Sequence, residues 1–213
     1  MAVATVDLTQ RRVEWQPNDL GLQRRLLGAR GLGARLLTDL TSPDTAPLSP
    51  ENPLIFSTGP FTGTPWPTGS RYHVTFKSPL TGIYGYASSG GHFGPALAHA
   101  GITALIIIGQ ASEPVLLEIR PGRIDILPAD HLWGLTTDKV HNLLLQGEPR
   151  SRVACIGPAG ENGVLFAGII NDYSRAAARC GGGAVMGAKH LKAIVVREQA
   201  KPAYPEPFTA LAR

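Results

Sequence analysis

The feature that most constrains the fold of this chain is an internal repeat. Residues 94–107 lie without a gap on residues 183–196. In both stretches a glycine-rich entry leads into small residues and then into a β-branched, apolar run. Upstream of each copy an apolar strand pattern closes on Gly-Pro, at Gly59-Pro60 and at Gly157-Pro158. An arginine stands ahead of each glycine-rich loop, Arg71 in the first copy and Arg175 in the second. Self-similarity of this kind predicts a duplicated unit. Two similar halves, related by a pseudo-two-fold axis, would then each offer a comparable half-site.

The remaining patterning is read around that repeat. Residues 3–15 alternate as a strand pair turning at Leu8-Thr9-Gln10. Asn18 and Asp19 are N-cap residues for a helix with Leu20, Leu22, Leu26 and Leu27 on one face. The glycines from Gly28 to Gly33 interrupt the helical pattern, which resumes over residues 34–40. A connection rich in proline and serine, residues 42–53, leads to a buried strand at 53–56. Between the copies, residues 115–119 and 123–127 form a hairpin across Pro121-Gly122. A helix over 136–146 turns Val140, Leu143 and Leu144 inward. Strands and short helices without regular βαβ alternation predict an α+β class: an internally duplicated domain of mixed β-sheets with short helices and pseudo-two-fold related halves. One domain is expected over residues 1–200, with 201–213, proline-rich from Pro202 to Pro207, as a linker-like tail.

Composition narrows the function classes. Hydrophobic residues make up 43% and charged residues 17% of the 213-residue chain, so a substantial core is expected and disorder is not. The 25 glycines and 18 prolines imply many tight turns and close backbone approaches. A net charge of +4 suits an anionic ligand. No Lys/Arg run with interleaved aromatics occurs, so nucleic acid is not an expected partner. The longest apolar run, residues 104–108, is too short to span a bilayer, and no signal core opens the chain, so no membrane association is expected. Cys155 and Cys180 form no CxxC and no cluster-binding spacing. A soluble cytoplasmic protein with reduced thiols is the expectation.

Two segments could carry chemistry. In Ser88-Ser89-Gly90-Gly91-His92-Phe93-Gly94 the glycines let backbone N–H groups converge on an anion, and the serine hydroxyls can donate as well. The second segment runs from Arg175 through Ala176, Ala177, Ala178, Arg179 and Cys180 to Gly181, Gly182 and Gly183. Three glycines in an ordered element cost about 1 kcal/mol each relative to alanine, so close approach of a flat or phosphorylated ligand is expected there. The arginines suit bidentate phosphate contact. Gly31-x-Gly33 lacks the third glycine and the preceding strand of a dinucleotide fingerprint. Ser57, Ser70 and Ser78 lack a G-x-S-x-G context, which argues against an α/β-hydrolase. His73, His92, His99 and His131 have no metal-ligand spacing, although His92 sits inside the glycine loop. Cys180 beside Arg179 is read as a small buried residue.

These motifs, in this order, resemble a known family. They are Gly28-x-Arg30-Gly31-Leu32-Gly33, Pro47-Leu48-Ser49-Pro50-Glu51-Asn52, Gly59-Pro60-Phe61-Thr62-Gly63-Thr64 and Lys77-Ser78-Pro79-Leu80-Thr81-Gly82. Ser89-Gly90-Gly91-x-Phe93-Gly94, Ile156-Gly157-Pro158-Ala159-Gly160-Glu161-Asn162 and Arg175-Ala176-Ala177-x-Arg179 follow. Together they are similar to the N-terminal domain of the aldehyde ferredoxin oxidoreductases, over about Leu8 to Val196. The resemblance implies a tungsten (sometimes molybdenum) ion held by two pterins, which are joined through a magnesium ion on their phosphates. It implies cofactor contacts at Arg71, Ser88, Gly90, Arg175, Ala176 and Ala178. At Ser88 and Ala176 the family places backbone carbonyl ligands of Mg²⁺, a hard cation that prefers oxygen. The loop reading adds Ser89, Gly91, Arg179 and Gly181 as candidate cofactor contacts. Two positions depart from the family pattern, which has asparagine where Ser88 stands and glycine where Ala178 stands.

The resemblance further implies oxidation of aldehydes to carboxylic acids, with electrons passing through a pterin and a [4Fe–4S] cluster to ferredoxin. No cluster cysteines and no catalytic acid/base residue are identified in this chain, and the family carries both in further domains. The expectation is therefore a piece or separate subunit that completes its site with C-terminal domains or a partner chain. A non-catalytic pterin carrier, or a homo-oligomer, is the alternative. An exposed apolar face is expected in the first case, a polar closed surface in the second.

Overall fold

A computed structural model describes residues 1–197, so the expected tail at 201–213 lies outside the described residues. The chain opens with a hairpin, β1 (Ala2–Asp7) and β2 (Arg12–Pro17), followed by helices α1 (Leu20–Leu26) and α2 (Ala29–Leu40). Strands β3 (Leu54–Thr58), β4 (Tyr72–Lys77) and β5 (Tyr84–Ser89), helix α3 (Phe93–His99) and strand β6 (Ile102–Ile108) complete the first half. The second half begins with a hairpin, β7 (Val115–Arg120) and β8 (Arg123–Pro128), then a 3-10 turn at Asp130–Leu132 and α4 (Thr137–Leu145). It continues through β9 (Arg152–Cys155), α5 (Pro158–Glu161), β10 (Ile169–Asn171) and β11 (Arg175–Ala177) to α6 (Gly182–Ala188) and β12 (Leu191–Val196).

Each half builds one six-stranded sheet, in the order β2-β1-β6-β3-β4-β5 and β8-β7-β12-β9-β10-β11. Each strand of the first sheet thus has its counterpart six strands later in the chain. The first strand of each half runs parallel to the last, and the other pairs are antiparallel. Even the irregularities coincide. The β1–β6 register slips at Thr103 and the β7–β12 register slips at Lys192, the residues that the repeat superposes. The duplication therefore extends to the opening hairpins, whose sequences share only alternation.

Period-two patterning explains the layers. In β6, Leu105 and Ile107 face the main core while Ile106 packs with Leu37 and Ile55 under α2. In β12, Ile194 and Val196 face the main core while Ala193 and Val195 pack with Val140 and Val153 under α4. Helices α3 and α6 pack against strands of both sheets, so they lie between them. Tyr72, Phe56 and Phe93 form an aromatic cluster there, with centroids 5.1–6.1 Å apart.

Several expectations are corrected. Only Leu27 and Gly28 interrupt the N-terminal helices, so Gly31 and Gly33 lie within α2 rather than in a break. Asp19 does cap α1, accepting from the Leu22 amide, but no residue of α1 is buried. Leu143 is exposed, because α4 turns Val140 and His141 to the sheet instead. No helix among the described residues is long and apolar enough to cross a membrane.

Candidate functional site

Strands β5 and β11 each form one of the two edges of their sheets, opposite β2 and β8, and they lie against each other. Following the pairings through the ladders gives the equivalences across the pseudo-two-fold. Ser57 and Cys155 occupy matching places, since they pair with the matching residues Ala104 and Ala193. They in turn pair with His73 and Ile170, and those pair with Ser88 and Ala176. Ser88 and Ala176, expected from the resemblance as metal-side positions, are thus the same position in the two halves. Both sit on edge strands, whose outer side pairs with no other strand among the described residues.

The arginines do not match in this way. Arg71 precedes β4 and superposes on Gly168, whereas Arg175 opens β11 and superposes on Ala87 of β5. Their apparent equivalence came from counting back from the glycine loops, and the intervening hairpins differ in length. They still reach the same seam. The register that pairs Tyr72 with Ser89 sets Arg71 beside Gly90, and the Arg175 side chain lies against Gly91. Arg179 is a one-residue insertion in the second loop, since Ala178 matches Gly90 and Cys180 matches Gly91. Arg71, Arg175 and Arg179 are exposed, and their guanidinium groups make no hydrogen bond or salt bridge among the described residues.

The glycine loops themselves have other employment. The backbone amides of His92 and Phe93, read from sequence as an anion cradle, donate to Asp172 Oδ2 at 2.6 and 3.3 Å. Gly91, at φ +88°, must be glycine because a Cβ there would overlap that carboxylate. Ser89 is buried and donates to Asn171 Oδ1 at 2.7 Å, beside Tyr72 Oη at 3.0 Å. Asn171 Nδ2 returns to the Gly90 carbonyl at 3.0 Å. Gly181, at φ +85°, is buried against the Leu165 carbonyl and Pro79. Ser89, Gly91 and Gly181 are thus each packed closely against other parts of the chain. Gly90 differs: the nearest atom a Cβ would meet is Ser70 Oγ at 3.9 Å, so a flat group has room to lie on it.

Around the seam, Arg30 sits 5.0 Å over the Tyr86 ring and donates to its hydroxyl at 3.0 Å. Burial, with Arg30 and Arg71 nearby, pulls the His73 imidazole below its usual pKa, favouring the neutral ring. Its Nδ1 is buried without a partner. Burial raises Tyr84. Away from the seam, burial pushes the Cys155 thiol up to about 12, which leaves it inert. No group of three or more His, Cys, Asp or Glu among the described residues could hold a metal ion. The sequence reading missed Asn171, Asp172 and Ser78. The Asn171-Asp172-Tyr173-Ser174 run signals a turn, with Asp172 and Tyr173 at positive φ, but nothing in it announces a reach into the other half.

The family "Aldehyde ferredoxin oxidoreductase, N-terminal domain" matches residues 3–198. The chain is 46% identical over 193 residues to the tungsten-containing aldehyde ferredoxin oxidoreductase of Pyrococcus furiosus, covering 90% of this chain and 32% of that protein. It is 33% identical over 210 residues to the WOR-like subunit of an aliphatic sulfonate oxidoreductase from the same organism, covering 90% of this chain and 33% of that one. Among solved structures, the active-site complex BamBC of benzoyl coenzyme A reductase with 1,5-dienoyl-CoA matches with a TM-score of 0.92 and 38% identity. That match covers 97% of this chain and 32% of the other. The chain thus spans about a third of the length of the relatives it matches.

Proposed function

This chain belongs to the aldehyde ferredoxin oxidoreductase family, as its N-terminal domain, and we propose that its β5/β11 seam cradles a tungsten (or molybdenum) bis-pterin cofactor. The observation that carries this reading is the pairing of equivalent edge positions with unpartnered cations. Ser88 and Ala176 hold symmetry-matched places on the two edge strands, where backbone carbonyls would suit a Mg²⁺ ion. Arg71, Arg175 and Arg179 flank them as exposed guanidiniums suited to phosphate. Gly90 leaves room for close approach, and Ala178 is its counterpart. A duplicated fold offers two comparable half-sites for two copies of one ligand.

When bound, such a cofactor supplies two-electron redox chemistry. The residues of this chain bind and orient it. Guanidiniums neutralise phosphate, the edge carbonyls take up cation charge, and the neutral His73 and the Arg30–Tyr86 pair wall the first half-site without adding an acid. In this reading none of them moves a proton to a substrate. Proton transfer, the [4Fe–4S] cluster, and delivery of electrons to ferredoxin fall to protein beyond this domain, on one chain or on a partner. The exposed Leu80, Ile83, Leu165 and Phe166 beside the seam fit such a docking face. The substrate class is an aldehyde, oxidised to the acid, because the curated relatives at 44–46% identity carry that name. A cytoplasmic location belongs to the same reading. Arg175→Ala tests it: metal retained per chain falls, with about 1.5–3 kcal/mol of binding lost at that contact. Full tungsten or molybdenum content in the purified variant would reject the reading.

A further inference from the structure

We propose that each ligand loop is set by the opposite half: Asn171 and Asp172 are the positioning residues for the Gly90 loop, and Ser78 is the positioning residue for the loop at Cys180. The first contact runs from the β10–β11 turn. Asn171, fully buried, accepts from Tyr72 and Ser89 and donates to the Gly90 carbonyl and to Asp172 Oδ2, the latter at 2.9 Å. Asp172 then accepts the His92 and Phe93 amides. The second contact runs from the equivalent β4–β5 turn. The Ser78 hydroxyl, also buried, donates to the Cys180 carbonyl at 2.8 Å and accepts the amides of Leu80 and Thr81. Pro79 lies against Gly181, completing the hold on that loop.

Equivalent turns thus grip opposite loops across the pseudo-two-fold. The grips differ in chemistry, a carboxylate and a carboxamide on one side and a single hydroxyl on the other. Asp172 takes a left-handed φ, +46°, which aspartate tolerates in turns, and from there its carboxylate reaches across the interface to the His92 and Phe93 amides. The inference rests on the reading of the seam as a cofactor site, because Gly90 and Ala178 are the contacts whose placement these turns fix.

The experiment compares amide hydrogen exchange in the two loops of the purified, metal-loaded protein for Asp172→Ala, Asp172→Asn and Ser78→Ala. Asp172→Ala should speed exchange over residues 89–93 at least about tenfold, as expected for loss of charge-assisted bonds, and leave 180–182 unchanged. Ser78→Ala should do the converse more weakly. Asp172→Asn, whose amide oxygen still accepts, should return 89–93 close to the parent rate. In parallel, Asp172→Ala should release its metal to a chelator faster than the parent. Equal acceleration of both loops in either variant, or no acceleration of 89–93 in Asp172→Ala, would overturn the proposal. The expected exchange pattern together with undiminished metal in Arg175→Ala would leave the reciprocal grip standing and reject the cofactor reading beneath it.

Discussion

Where the first half has Ala100 and Thr103 at the end of α3 and the start of β6, the second half buries two lysines, Lys189 and Lys192. Lys192 stands at the shared register slip and forms a buried ion pair with Glu161 of α5, while also donating to the Leu135 carbonyl at 2.9 Å. Thr103, at the same slip, leaves its hydroxyl buried without a partner. Lys189 reaches into the first half, donating to the carbonyls of Pro50 and Gly109 at 2.9 and 3.1 Å. One backbone plan thus accepts two interiors, one apolar and slightly under-satisfied, the other charged and tied to its neighbour. The duplicated unit fixes where a bulge or an edge falls, and leaves open which half carries the tethers.

The largest test of that contrast is Lys192→Ala. Removing one partner leaves Glu161 as an unpaired buried charge, with the Gly134 amide as its remaining donor. The expected loss is about 3–5 kcal/mol by denaturant titration. A loss below about 1 kcal/mol would show that the charged interior of the second half does no more than the apolar interior of the first.

Next comes pH. Burial pushes the Lys189 ammonium down from 10.5 to about 8. Below about pH 8 folded and unfolded chains both carry the proton and the burial penalty is complete. Between there and 10.5 the unfolded chain alone keeps it, so stability rises with pH, by up to about 3 kcal/mol. Lys189→Met should flatten that rise, and an equally steep profile in the variant would assign it elsewhere. Gly91→Ala should lose about 2 kcal/mol or more, through the left-handed φ and overlap with Asp172. Its counterpart Cys180, at φ +64°, should gain or stay level on Cys180→Gly. The smallest effect is expected from Thr103→Val, neutral or stabilising by at most about 1 kcal/mol, since it removes an unsatisfied hydroxyl. A clear loss in thermal unfolding would mean that the first half uses that position too.

Much of this was legible in the sequence, because the repeat fell on α3–β6 and α6–β12, where both copies are buried and their small and apolar residues must coincide. The hairpin equivalence was hidden. β1 and β7 each need only a pleated, half-buried face, which many sequences satisfy. The arginine match failed because linear distance to a glycine loop ignores how many residues the intervening turn holds. At the site, the positions of Ser88 and Ala176 came from motif resemblance, and strand register then gave them a physical relation. What the local pattern did not show is which atoms crowd Gly91 and Gly181. Asp172 crowds Gly91, and Leu165 and Pro79 crowd Gly181, and no local pattern foretells neighbours brought in from other turns and from the other half.

The buried carboxamide of Asn171 has a consequence for synthesis. It lies 81 residues beyond Gly90 and 99 beyond Tyr72, to both of which it bonds. As the chain leaves the ribosome, β6 emerges early enough to close the first sheet, yet the hydroxyls of Tyr72 and Ser89 still lack their acceptor. A nascent first half can therefore complete its strands but not its loop. Its α3 face also stays bare until the second sheet arrives to cover it. Translation order therefore leaves the first half with an unfilled loop until the β10–β11 turn is made, and with an uncovered α3 face until β12 joins the second sheet.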